Sequence, residues 1–256
     1  IVNQFNISFN EGDIDSKGYH EFLTQYGGYL DIKKPSLFSN LKYLFQYQMG
    51  SMYWRYLMWN FSGKQNDLQW EYDLLKGNWI SGIKFIDEFR LGPQDNLSND
   101  VLNNKGRNKY YLLPLILGIL GFIFLYKEDK NMFWVVTLLF LFTGLALKVY
   151  LNERIFEPRE RDYALVGSFY VFSIFIGLSV LHIYKKLKNF ISDRLSVPII
   201  IGLLIFVPFL MAFENWDDHD RSNRYTAQSL AKAYLDSIEE GVDAMIFTIG
   251  DNDTFA

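Results

Sequence analysis

The stretch YALVGSFYVFSIFIGLSVLHIY, residues 163–184, decides the fold, because its 22 consecutive residues include no Asp, Glu, Lys or Arg. Wound as a helix at about 1.5 Å per residue, such a run reaches roughly 33 Å and crosses a hydrocarbon layer of about 30 Å. Three further runs share the property: 110–126, 131–147 and 195–213, of 17, 17 and 19 residues. Averaged over its 256 residues, the chain is 50% apolar with a net charge of −4, which would describe a soluble globule. The distribution excludes that reading, since the charges are crowded between the four runs. The sequence therefore predicts an α-helical multi-pass membrane protein with spans at about 110–126, 131–150, 163–184 and 195–213.

Working outward, residues 1–36 read as an irregular soluble segment, with turn signals at Asn10-Glu11-Gly12-Asp13 and Gly27-Gly28. From Phe38 to Phe61 nine of 24 residues are aromatic and only Lys42 and Arg55 are charged. Trp and Tyr beside Arg and Gln suit headgroup depth, so 37–61 is expected to form interfacial aromatic helices, broken at Gly50-Ser51. Residues 62–109 read as a polar external loop with one short helix near 80–89. After Glu214 the chain turns polar again. A helix over 226–240, an apolar strand over 244–249 and an acidic turn would open an external α/β domain spanning 214–256.

Short connections make consecutive spans antiparallel neighbours, and Gly118, Gly121 and Gly144 are small residues that allow helices to approach closely. The loops holding Lys127 and Lys130, and Lys185, Lys186, Lys188 and Arg194, fall on one side. That excess of cations places them in the cytoplasm and puts 152–162 and everything after 213 outside. The absence of cysteine excludes disulfides and Cys-based metal centres. An acidic chain without a long basic run argues against nucleic acid as a partner. The chain opens on Ile1 rather than Met and stops at Ala256 just after a turn, as a piece of a longer polypeptide would.

No Asp, Glu or Arg lies inside the spans, and Lys148 and His182 near span ends read as snorkelling side chains, so chemistry is expected at the membrane surface. Three clusters are candidates. In Glu157-Pro158-Arg159-Glu160-Arg161-Asp162-Tyr163, the forked guanidinium groups of Arg159 and Arg161 suit phosphate oxygens, although each Arg could equally pair with a neighbouring carboxylate. In Glu214-Asn215-Trp216-Asp217-Asp218-His219-Asp220-Arg221, four carboxylates and an imidazole could hold a divalent cation or supply a general base, or be simply solvated. Asp251 and Asp253 flank one residue where a strand should end, a place to hold a metal or a substrate, or an Asx turn.

Several phrases together resemble a large bacterial multi-pass membrane family related to protein O-mannosyltransferases. They are Met52-Tyr53-Trp54-Arg55-Tyr56-Leu57-Met58-Trp59-Asn60-Phe61, Gln65-Asn66-Asp67, Gly77-Asn78-Trp79-Ile80-Ser81-Gly82-Ile83 and Tyr150-Leu151-Asn152. Pro158-Arg159-Glu160-Arg161-Asp162-Tyr163, Gly167-Ser168-Phe169-Tyr170, Asn215 to Arg221 and Gly250-Asp251-Asn252-Asp253-Thr254-Phe255 follow in the family's order. Residues 38–256 are covered.

The resemblance implies a GT-C type glycosyltransferase in the bacterial cytoplasmic membrane. Such an enzyme transfers a sugar from a polyprenyl-phosphate donor to an envelope or protein acceptor on the outer face. It places the catalytic acid in an external loop after a first span that this chain does not contain. On that reading Arg159 and Arg161, with Arg55, bind the donor phosphate. Asp217, Asp218, His219, Asp220 and Arg221 position the acceptor or order the loop, and Asp251 and Asp253 are available to a metal or substrate. No cofactor is assigned with certainty, a divalent cation being the one candidate. The rival reading is a non-catalytic membrane scaffold of the cell envelope.

Overall fold

The structure, a computed structural model, describes residues 8, 16–27, 35–70, 73–153, 162–238, 245 and 247. The chain divides into two compact units, residues 1–51 and 52–256. In the first, helix α1 (Ser16–Tyr26) stacks Phe22 on Tyr26 with ring centres 5.2 Å apart. Helix α2 (Leu37–Lys42) starts at Ser36, whose hydroxyl accepts the Ser39 N–H at 3.1 Å, as an N-cap should. The helix then widens to π-type winding over Tyr43–Arg55. Gly50 and Ser51, expected to break the segment, sit inside this winding, where the Ser51 hydroxyl donates to the Gln46 carbonyl five residues back.

The second unit is mostly helical. Helix α3 (Tyr56–Phe61) is followed by strand β1 (Gly63–Lys64), helices α4 (Lys84–Leu91) and α5 (Asn99–Leu102), and strand β2 (Asn108–Lys109). Three helices are long and apolar enough to cross a membrane: α7 (Lys130–Leu151), α8 (Asp162–Leu187) and α9 (Asp193–Glu214), of 22, 26 and 22 residues. They mark a protein that associates with a lipid bilayer. The stretch expected as a first span forms the shorter helix α6 (Leu113–Glu128), of 16 residues. Its start is displaced because Tyr111 and Leu112 take positive φ (53° and 59°) in a tight turn, and Pro114 then occupies the first helical turn. Two short helices, α10 (Trp216–His219) and α11 (Thr226–Asp236), follow α9. The expected strand over 244–249 lies outside the described residues, save 245 and 247, which are in no regular element.

Helices α6 and α8 touch where Gly118 lies under the Phe172 ring and Gly121 lies against the Phe175 carbonyl. Around that contact the core gathers Tyr53, Tyr56, Leu57, Trp59 and Phe61 with Leu125, Phe133, Phe140, Leu165, Phe172 and Phe175. The 53–61 part of the aromatic segment thus turns these rings inward onto the helices. Tyr53 donates to the Ser168 hydroxyl at 2.6 Å, and Ser168 spends its own proton on the Phe140 carbonyl at 3.1 Å. A short π turn in α7, Phe142–Ala146, brings Gly144 beside both groups.

Lys148 does not snorkel. It is buried in the last turns of α7 with its ammonium 2.5 Å from the equally buried Glu153. At the end of the bundle where α6 meets α7, Asp129 caps α7 through the N–H groups of Asn131 and Met132, and Lys185 pairs with Glu128 at 2.5 Å. The loops holding Lys127 and Lys185 therefore share one end, as the antiparallel order requires.

The stretch read as a polar loop, 62–109, is folded around buried polar side chains. Strands β1 and β2 pair antiparallel, Gly63 opposite Lys109 and Lys64 opposite Asn108. Gly63 has φ 142°, and a Cβ there would lie 2.4 Å from the Asn108 carbonyl oxygen, so only glycine lets the strands close. Gln65 donates to the Leu74 carbonyl and accepts from Asn78, while Asn66 donates to the Leu75 carbonyl and accepts from the Gly77 N–H. Side-chain amides here satisfy backbone groups that a strand ladder would satisfy elsewhere.

Candidate functional site

At the opposite end of the bundle, the end of α3, the two strands, the start of α8 and the end of α9 surround a cleft of about 760 Å³. Its floor is an ion pair between Lys64 and Asp218, 2.9 Å apart, with side chains 11% and 4% exposed. The pairing follows from the local fold. Lys64 is on β1, held by the β2 ladder, and Asp218 is in α10, one turn beyond the end of α9.

The surrounding bonds tie α9 to the strands. The Lys109 N–H donates to Glu214 at 2.8 Å, Tyr110 Oη donates to Asn215 Oδ1 at 2.9 Å, and Asn108 Nδ2 donates to Asn215 at 2.8 Å. Lys64 also meets Asp67 at 3.1 Å, and Asp218 receives His219 Nδ1 at 2.7 Å. The same His219 nitrogen lies 3.0 Å from the Asn215 carbonyl, and since both neighbours are acceptors Nδ1 carries a proton.

Burial alone would lower the Lys64 pKa. The hydrogen bond that the ammonium donates to Asp218 and the charges of Asp67 and Asp218 outweigh it, and the ammonium is held above its usual range. Burial would raise Asp218, but bonds from Lys64 and His219 outweigh that and hold its carboxyl below the usual range. The stabilisation from Asp218 is thus complete above the ordinary carboxylate value of about 3.9 and is lost as pH falls through the depressed value. That from Lys64 is complete below about 10.4 and is lost as pH rises through the raised one. The expected result is a pair contribution that is flat from about pH 5 to 9 and fails only beyond those limits. Thermal unfolding across pH, wild type against Lys64→Met/Asp218→Leu, reads it; a step near neutrality would contradict the assignment.

The chain matches no protein-family model, no curated protein and no solved structure. Its site is accordingly read from its own groups. Of the residues singled out in the sequence, Asp218, His219 and Arg221 line the cleft, joined by Asp162 at the start of α8. Asp217 is exposed, and Asp220 accepts the Ser222 N–H at 2.9 Å. Arg55 does not line the cleft itself: its guanidinium donates to the Gly77 carbonyl at 2.7 Å and lies 5.8 Å from the Trp70 ring and 5.9 and 6.0 Å from the rings of the cleft residues Tyr56 and Trp59. Arg159, Arg161, Asp251 and Asp253 lie outside the described residues.

Among the described residues, no three His, Asp or Glu side chains converge as metal ligands. The acidic run after α9 is divided instead: Asp218 faces Lys64 and Asp220 closes a turn. The structure adds Lys64, Asp67, Asn108, Tyr110 and Arg224, which the sequence reading did not single out as site residues, and bonds Asn215 of the acidic run to Asn108 and Tyr110. A lone lysine in a polar stretch carries no spacing signal, and its partner is 154 residues away.

Proposed function

We propose that the chain is the membrane-embedded part of a GT-C type glycosyltransferase that uses a polyprenyl-phosphate sugar. Four helices, α6 to α9, cross the bacterial cytoplasmic membrane on this reading, with the Lys185 end inside and the cleft outside. The observation that carries the reading is the continuity of two cavities along one face of α8. Val166, Phe169, Tyr170 and Ser173 line the polar cleft. Ser173, Ile176, Gly177 and Val180 line an apolar groove of about 330 Å³, closed by Leu117 of α6 and by Leu203, Leu204, Val207, Pro208 and Met211 of α9.

Steps of three and four residues keep these side chains on one helical face, and Ser173 belongs to both cavities. A polar mouth above an apolar groove suits an amphiphile whose charged head stays at the surface while its chain enters the bilayer side. Arg221 and Arg224 on the cleft wall, with Arg159 and Arg161 shortly before Asp162 in the chain, are the cations assigned to the donor phosphate. Asp218 and His219 are assigned to the acceptor side.

Gly177 supplies the test, because a Cβ there would meet nothing within 4 Å. Gly177→Phe is expected to fill the groove without disturbing the helices and to lower transfer from a polyprenyl-phosphate sugar by roughly tenfold or more. Transfer by the full-length protein at its wild-type rate, with an unchanged melting temperature, would overturn the groove assignment. Mass spectrometry of envelope glycans from cells with and without the gene tests the activity itself; unaltered glycans favour the scaffold.

A further inference from the structure

Strand β2 separates two cavities, and its alternation gives each a different set of side chains. Asn108 faces the Lys64 cleft. Its neighbours Arg107 and Lys109 line a second cavity of about 370 Å³ together with Lys84, Asp87, Gln94 and Asp95. That volume lies within the range of small-molecule sites, roughly 300–1,000 Å³.

The charges in this cavity are unevenly committed. Asp87 is buried and fully engaged, accepting the Ser81 N–H and hydroxyl at 2.7 and 2.9 Å and the Gly82 N–H at 2.8 Å. Lys84 is bound to Asp95 and lies 3.8 Å from Glu88. Arg107 donates through Nη2 to Gln94 at 3.0 Å, whereas its Nη1 is buried without a hydrogen-bond partner among the described residues. Lys109 makes no ion pair among the described residues, and its stem lies across Gly82, where a Cβ would come within 2.9 Å of it. A guanidinium stays charged in a protein, and a buried donor left unmatched is costly, so the vacant Nη1 calls for an oxygen acceptor. Burial pulls Arg107 below its usual range with only the Asp87 charge opposing, which marks the cation as short of negative partners.

We propose that this cavity binds the carboxylate or phosphate group of a water-soluble, sugar-sized ligand, with the Arg107 guanidinium and the Lys109 ammonium as its donors. The cavity is larger than a bare oxyanion needs, and Leu102, 42% exposed on its lining, offers the body of the ligand an apolar wall. The inference stands apart from the glycosyltransferase reading, since it uses none of the lipid-facing groove.

Calorimetric titration of the full-length protein in lipid nanodiscs with glucuronate, glucose 6-phosphate and uncharged glucose tests it. Saturable binding of one or both charged sugars, without binding of glucose, is expected, and the two charged probes separate carboxylate from phosphate. Arg107→Gln keeps a side-chain amide opposite Gln94 and is expected to weaken binding by roughly tenfold or more. Leu102→Trp, which fills the mouth and leaves the guanidinium in place, is expected to weaken it as well. The proposal is overturned if neither charged sugar binds at millimolar concentration, if glucose binds equally, or if both variants bind as wild type.

Discussion

Asp218→Ala is expected to destabilise the protein by about 3 kcal/mol and to abolish ligand binding in the surface cleft. The loss exceeds that of an ordinary surface pair, worth at most about 1 kcal/mol, because both side chains are nearly buried. Removing the carboxylate leaves the Lys64 ammonium with Asp67 alone, and Asp67 is itself half exposed. It also removes the second acceptor of the Asn108 amide, 3.3 Å away, leaving that amide with Asn215.

The double replacement Lys64→Met/Asp218→Leu separates stability from function. Replacing a buried pair by apolar groups of similar size is often neutral, so unfolding of this variant should return to within about 1 kcal/mol of wild type. Ligand binding should stay absent, since the polar floor is gone. Denaturant titration and binding measured on the same preparations give the comparison. If Asp218→Ala costs less than about 0.5 kcal/mol, the pair is not the floor of the site.

The second large effect is expected at Gly121. A Cβ built there would lie 1.7 Å from the Phe175 carbonyl oxygen and 2.6 Å from its carbon, which are backbone atoms fixed within α8. Gly121→Ala must therefore push the two helices apart along the whole contact, including the Gly118 and Phe172 packing beside it. Overpacking usually costs about 1–3 kcal/mol, and a clash with rigid backbone belongs at or above the top of that range. Gly177→Ala, on the same pair of helices, meets open space and should be neutral or stabilising by about 0.5–1 kcal/mol from helix propensity. Melting temperatures of the two variants should diverge in opposite directions; equal values would mean that the contact is looser than drawn.

These two positions show what was legible in the sequence. Gly118 and Gly121 within an apolar run announce close helix packing through composition alone, and the uncharged stretch 163–184 announces its helix through length. Both are local signals, carried by residues near one another in the chain. The cleft is different. Lys64, Asn108 and Asp218 are widely separated, each in a polar context that a solvated loop would share, and only the closure of β1 on β2 brings them together. The juxtamembrane run Asn215 to Arg221 is expected from its acids and imidazole to be a place for chemistry, but its division into one buried and several exposed carboxylates is set by which way a single helical turn faces. The aromatic segment illustrates a third limit: composition raises the expectation of a membrane surface for Tyr53, Trp59 and Phe61, yet says nothing of which helices they turn toward.

The clasp between the strands and the end of α9 also fixes an order of events. Lys64, Asn108, Lys109 and Tyr110 all take partners from residues 214–218, which leave the ribosome 154 residues after Lys64 and 105 to 107 after the other three. Until α9 has been inserted, the folded 62–109 segment carries an ammonium and two amides without their final partners. The cleft therefore cannot be completed before α9 and α10 have been made, and a chain cut short before Glu214 would leave its floor open however well the earlier helices had packed.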